Sequence, residues 1–113
     1  MDTRAVVEHH LAALEEGDVD AVLADYVEES VLVTTGMVVR GLEHLRTLFE
    51  GALATMFKPG AHEFTLDTLD VDGEIGLITW RLRFEGGEVT HGVDSFVVRG
   101  GKIIAQTGAV QLA

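Results

Sequence analysis

The chain has 113 residues, 47% of them hydrophobic, which is the size and composition of one domain spanning 1–113 with a core of its own. It carries no cysteine, which excludes disulfides and thiolate metal sites. Nineteen acidic against eight basic residues give a formal charge of -11, a surface that repels phosphate backbones and anionic bilayers. Neither nucleic acid nor a membrane is an expected partner.

Met1-Asp2-Thr3-Arg4 leads straight into a periodic segment with no apolar run of the signal-peptide kind, so a cytoplasmic protein is expected. Thr3 is placed to cap a helix running to about Glu16, with Val6, Val7, Leu11 and Leu14 on its apolar stripe. His10 falls on that stripe and His9 off it. Gly17 stops the helix, and Asp18 caps a second, shorter one whose stripe is Val19, Val22, Leu23 and Tyr26. Ser30 to Val33 reads as a short strand, Thr34-Thr35-Gly36 as a turn, and Met37 to Arg40 as a second strand. Apolar residues from Leu42 to Met56 recur at three and four, predicting a third helix that Lys58-Pro59-Gly60 ends.

The second half is strands. His62 to Val71 and Ile75 to Phe84 are joined by Asp72-Gly73, a hairpin signal, and two further strands follow, from about Glu88 to Val98 and from Lys102 to Leu112. Helices first and a meander afterwards predict an α+β domain. Alternation puts Ile78, Trp80, Leu82 and Phe84 on one face, and Phe96, Asp94, Gly92 and Thr90 on the inner face of the next strand. Asp94 therefore lies among apolar neighbours, where a carboxylate needs a partner. Val89, Val93 and Val97, with Ile103 or Ala105 beside them, make an outward apolar stripe that predicts a homodimer through the outer sheet face.

Three stretches carry a resemblance. Gly17-Asp18-Val19-Asp20-Ala21-Val22-Leu23 with Tyr26 and Ser30-Val31-Leu32-Val33, then Arg40-Gly41-Leu42-Glu43-His44-Leu45, then Val93 to Ile103, together resemble the NTF2-like proteins. The likeness is to the SnoaL-like branch, which includes polyketide cyclases, and to the ketosteroid isomerases. It implies a cone of three N-terminal helices on a curved, mainly antiparallel sheet, with a pocket between them for a small apolar organic ligand. Fold alone does not assign chemistry.

In the isomerases a donor tyrosine on the first helix precedes the Gly-Asp aspartate by eight residues, and that position here is His10. The position of their catalytic aspartate is occupied by Thr34, and that of their donor-type carboxylic acid by Asp94. Threonine cannot hold a proton near neutral pH, so the usual isomerase base is lost. Histidine titrates near neutrality, so His10 stands as the candidate base and Asp94 as its orienting partner or a protonated donor. The pair reads equally as a buried histidine satisfied by a carboxylate. Tyr26, Thr34, Trp80, Phe96 and Gln106 are the candidate substrate-binding residues, each with a plain core or turn role as the alternative.

His9, His44 and His62 read as solvent-facing, and His91 faces away from Asp94 on a regular strand. No metal site is expected from these, and no Gly-rich phosphate loop or Gly-x-Ser-x-Gly nucleophile is present, so no cofactor is expected. The function expected is a pocket protein with cofactor-free acid/base chemistry: isomerisation, cyclisation or dehydration. A non-catalytic ligand-binding module or a dimeric interaction protein is the alternative.

Overall fold

A computed structural model describes every residue from Met1 to Ala113. Three helices, α1 (Thr3–Glu16), α2 (Val19–Leu23) and α3 (Leu42–Ala54), pack on six strands: β1 (Tyr26–Thr34), β2 (Met37–Arg40), β3 (His62–Asp72), β4 (Ile75–Phe84), β5 (Gly87–Arg99) and β6 (Lys102–Leu112). The strands form one sheet in the order β2-β1-β6-β5-β4-β3, and only the β1–β6 pair is parallel. This is the expected α+β arrangement, with the meander of four late strands in sequence order. No helix is long and apolar enough to cross a membrane.

Local chemistry sets the element ends, with some departures from expectation. Asp2, not Thr3, caps α1, its carboxylate accepting from the Ala5 N–H at 2.8 Å. Thr3 is instead the first helical residue and donates its hydroxyl to the Gly73 carbonyl at 2.6 Å, tying α1 to the β3–β4 hairpin. The second helix stops at Leu23, so Tyr26 opens a strand rather than ending a helix. Pairing explains this: the Asp25 carbonyl accepts from the Ile103 N–H at 2.7 Å, and Tyr26 lies opposite Ile103 on β6.

A second departure follows from an irregularity. The β5–β6 register shifts between Val89 and His91, which breaks the simple alternation of β5. Val89 turns inward and is wholly buried, and Thr90 turns outward. Ile103 is likewise wholly buried. The outer stripe therefore loses Val89 and Ile103 and keeps Val93, Val97 and Ala105, joined by Ile75 and Leu77 of β4.

Candidate functional site

Strand register builds the site. Ile78 of β4, Asp94 of β5, Gly108 of β6 and Thr34 of β1 are cross-strand partners in one row, and Phe96, Gln106 and Leu32 are partners in the next. Residues two apart on a strand share a face, so both rows look toward the helices. Between them and α1 and α3 lies a cavity of about 170 Å³. Eleven of its fifteen lining residues are hydrophobic, and the polar ones are His10, Thr34, Asp94 and Gln106.

Two glycines shape its polar end. A Cβ at Gly92 would lie 2.3 Å from Cε2 of Trp80, so the indole rests on the bare backbone of β5. A Cβ at Gly108 would lie 2.8 Å from Oδ2 of Asp94, so that carboxylate rests on the bare backbone of β6. The two side chains then meet: the Trp80 indole N–H donates to Asp94 Oδ1 at 3.0 Å, and the Gln106 amide N–H donates to Asp94 Oδ2 at 2.9 Å.

His10 and Asp94 share no hydrogen bond. They are joined through two intermediaries, because the Tyr26 hydroxyl donates to Gln106 Oε1 and lies 3.4 Å from His10 Nδ1. With the tyrosine proton committed to Gln106, the His10 ring is assigned its proton on Nδ1, which leaves the Nε2 lone pair free. No fully buried side-chain nitrogen or oxygen lacks a partner, and Nε2 has none in the protein, so that atom borders the cavity.

The electrostatics follow from burial. His10 is 2% exposed and packs edge-on against Tyr26, Phe49 and Phe96, with ring centroids 5.5–5.8 Å apart. Burial, reinforced by neighbouring His9, lowers its pKa to about 4. Burial pushes Asp94 above the ordinary carboxylate value, against the opposing pull of the Gln106 and Trp80 donors. The Tyr26 phenol is raised well above its usual value by burial first, then by the charges of Asp94 and Asp25.

Of the seven residues singled out from the sequence, His10, Thr34, Trp80, Asp94, Phe96 and Gln106 line the cavity. Tyr26 does not; it is buried behind His10 and Gln106. Sequence reasoning missed Phe57 and Phe64, which wall the cavity beside Trp80 with ring centroids 5.8–6.2 Å apart. Phe64 was within reach of alternation along β3, whereas Phe57 follows the end of α3, where no period applies.

Two histidines expected in solvent are engaged. The His9 Nδ1 lies 2.6 Å from the buried carboxylate of Asp25. His62 places Nδ1 2.7 Å from the Lys58 carbonyl and Nε2 2.7 Å from Glu15, with its ring against Phe57. No group of three or more His, Cys, Asp or Glu side chains could hold a metal ion.

A family model described as the SnoaL-like domain matches residues 7–106, which takes in the three helix–strand junctions and the whole cavity wall. The chain belongs to this SnoaL-like family. No curated protein matches it. Among solved structures, an NTF2-like protein of unknown function from Burkholderia xenovorans superposes with a TM-score of 0.81 at 18% identity, covering 96% of this chain and 82% of its own. A provisionally assigned ketosteroid isomerase from Kribbella flavida gives 0.82 at 18%, covering 98% and 78%. An epoxide hydrolase of the LEH-like kind from M. tuberculosis gives 0.73 at 24%, covering 95% and 80%. At these identities the likeness establishes the NTF2-like fold of this SnoaL-like chain and leaves its chemistry to its own residues.

Proposed function

We propose that this SnoaL-like protein binds a small, largely apolar organic molecule with one polar group directed at Asp94, and that Asp94 exchanges a proton with it. One observation carries the reading: Asp94 is the one carboxylate on the wall of an apolar cavity, and burial moves its pKa up from the ordinary value. A group that holds and releases a proton nearer the working pH is what general acid/base catalysis requires. The size class follows from the volume, since an apolar cavity of about 150 Å³ accepts benzene. A cavity of about 170 Å³ suits a single ring or a short branched chain.

In this reading the proton carrier is Asp94 rather than His10. A ring with a pKa of about 4 is neutral at neutral pH and a weak base there. Its service is the Nε2 lone pair. The competing reading, a binding module without turnover, draws on Thr34, a side chain that takes up no proton at the position where the related isomerases keep their base.

The chain's only tryptophan is Trp80, so indole emission reports occupancy directly. The test titrates cyclohexanone, cyclohexanol and cyclohexylamine against the protein, then follows conversion of cyclohex-3-en-1-one to its conjugated isomer by ultraviolet absorbance. Asp94→Asn is expected to keep binding and to lose turnover by about a hundredfold. Binding without turnover in the unmodified protein selects the binding module, and no response to any probe removes the pocket reading.

The outer sheet face supports a second element of the proposal, a homodimer. Ile75 (59% exposed), Leu77 (41%) and Val33 (41%) lie on it with Val93, Val97 and Ala105. An apolar face on an acidic surface is characteristic of a contact site. Sedimentation velocity is expected to give a dimer that Leu77→Lys dissociates; a monomer at tens of micromolar protein overturns this.

A further inference from the structure

The cavity wall carries an asymmetry of charge. Asp94 has no cationic partner: it forms no ion pair, and its hydrogen bonds come from the neutral indole and amide of Trp80 and Gln106. No lysine or arginine lines the cavity. The titratable groups that share its cavity wall or its hydrogen-bond chain are His10 from α1, neutral at neutral pH, and Tyr26 from β1, which burial keeps protonated. The partners on β4, β6 and β1 are Ile78, Gly108 and Thr34, none of them ionisable.

Hydrogen-bonding capacity is lopsided in the same sense. The Trp80 N–H and an N–H of Gln106 are committed to Asp94, and the Tyr26 O–H to Gln106. What remains open toward the cavity is mostly acceptor capacity: the further lone pairs of Asp94 and the Nε2 lone pair of His10, against the Thr34 hydroxyl and the second N–H of Gln106 as donors. Such a wall is matched by a ligand that donates hydrogen bonds and brings positive charge.

Resting on the reading of the pocket given above, we propose that the polar group of the ligand is a basic nitrogen, so that the cavity takes a small apolar amine as its ammonium ion. The ammonium supplies the countercharge that the half-buried carboxylate lacks, and has three N–H donors for acceptors on the wall. Trp80, Phe57 and Phe64 line the cavity as an aromatic cluster that suits the apolar remainder of the molecule. The net charge of -11 adds long-range attraction for cations and repels carboxylates.

The alternative is a neutral hydroxyl or carbonyl bound to protonated Asp94, and the two differ in the sign of their pH dependence. A cation favours ionised Asp94, so amine affinity rises as pH climbs through the aspartate pKa. A carbonyl that accepts a proton-bearing hydrogen bond from Asp94 loses affinity over the same interval.

The test compares cyclohexylamine with cyclohexanol and cyclohexanone, near-equal in shape, by Trp80 emission and by calorimetry from about pH 4 to about pH 8. The amine is expected to bind at least about tenfold more tightly than the alcohol at neutral pH. Its affinity should rise with pH, and Asp94→Asn should abolish the preference for the amine over the alcohol. Equal affinities, or a ketone that wins and weakens as pH rises, overturn the amine proposal and leave the pocket reading standing. Failure of all three probes overturns both. The wild-type comparison decides the matter even where the variant folds poorly.

Discussion

Adjacent residues of α1 belong to the neighbourhoods of two different aspartates, Asp25 buried and Asp94 half-buried on the cavity wall, and only one of the histidines touches its partner. His9 meets Asp25 directly at 2.6 Å, with the histidine side chain 42% exposed and the carboxylate 4% exposed. His10, one residue on, is 2% exposed and is separated from Asp94 by Tyr26 and Gln106. The first pair is complete: a carboxylate turned inward at the α2–β1 turn has a histidine to answer it, and the histidine keeps an edge in water. The second neighbourhood is incomplete by the same standard, since neutral donors hold the acid and the imidazole is too dry to carry charge. A complete pair holds the fold together; an incomplete one beside a cavity has something left for a ligand.

The comparison has a sharp edge at His10. An unfolded histidine takes up a proton below 6.5, whereas the folded ring resists until about 4, so stability is lost as pH falls between those values. The loss assignable to this ring is about 3 kcal/mol by pH 4. Urea melts of wild type and His10→Gln across that interval measure it: the wild type should lose ground to the variant as acid is added. A pH-independent gap would mean that the ring is not held neutral, and the contrast with His9 would collapse.

The same substitution at both aspartates gives a smaller and more discriminating effect. Asp25→Asn removes the charged acceptor of a direct bond and is expected to cost about 2 kcal/mol at neutral pH. Asp94→Asn behaves differently, because burial raises the pKa of Asp94 and ionisation costs the folded state. Stability tied to that group is present at low pH and lost as pH rises through the folded pKa. The stability gap should therefore shift in favour of Asp94→Asn as pH rises above the ordinary aspartate value. Whatever fixed cost comes from placing the new amide against Gln106 is constant across that range. Parallel pH profiles for the two variants would erase the distinction between the neighbourhoods.

Much of the frame was legible because it rests on local chemistry: the Gly17-Asp18 break, the Asp72-Gly73 hairpin, and the alternation of Ile78, Trp80 and Leu82, all of which hold. Alternation also put Asp94 and Phe96 on the inner face, where they are. It failed at Val89 and Thr90, because one register shift reverses inside and outside and no residue type announces it. The isomerase resemblance paired His10 with Asp94, whereas the histidine–aspartate contact in the structure joins His9 to Asp25. His9 falls off the apolar stripe and Asp25 lies in a turn sixteen residues on, so only the tertiary fold brings them together. Tyr26 was assigned to a helix that strand pairing ends early, which hid its place as the link between His10 and Gln106.

The acid clamp at the cavity owes its form to two positions that contribute no side-chain atoms. Had position 92 carried a methyl group, its carbon would overlap the Trp80 ring, and at position 108 it would crowd Asp94. A single-carbon change at either place thus lies between a wall that holds a carboxylate in register and one that merely fills space. Across a family in which one fold carries many chemistries, that is a short evolutionary distance, and it runs through residues that a search for reactive groups would pass over.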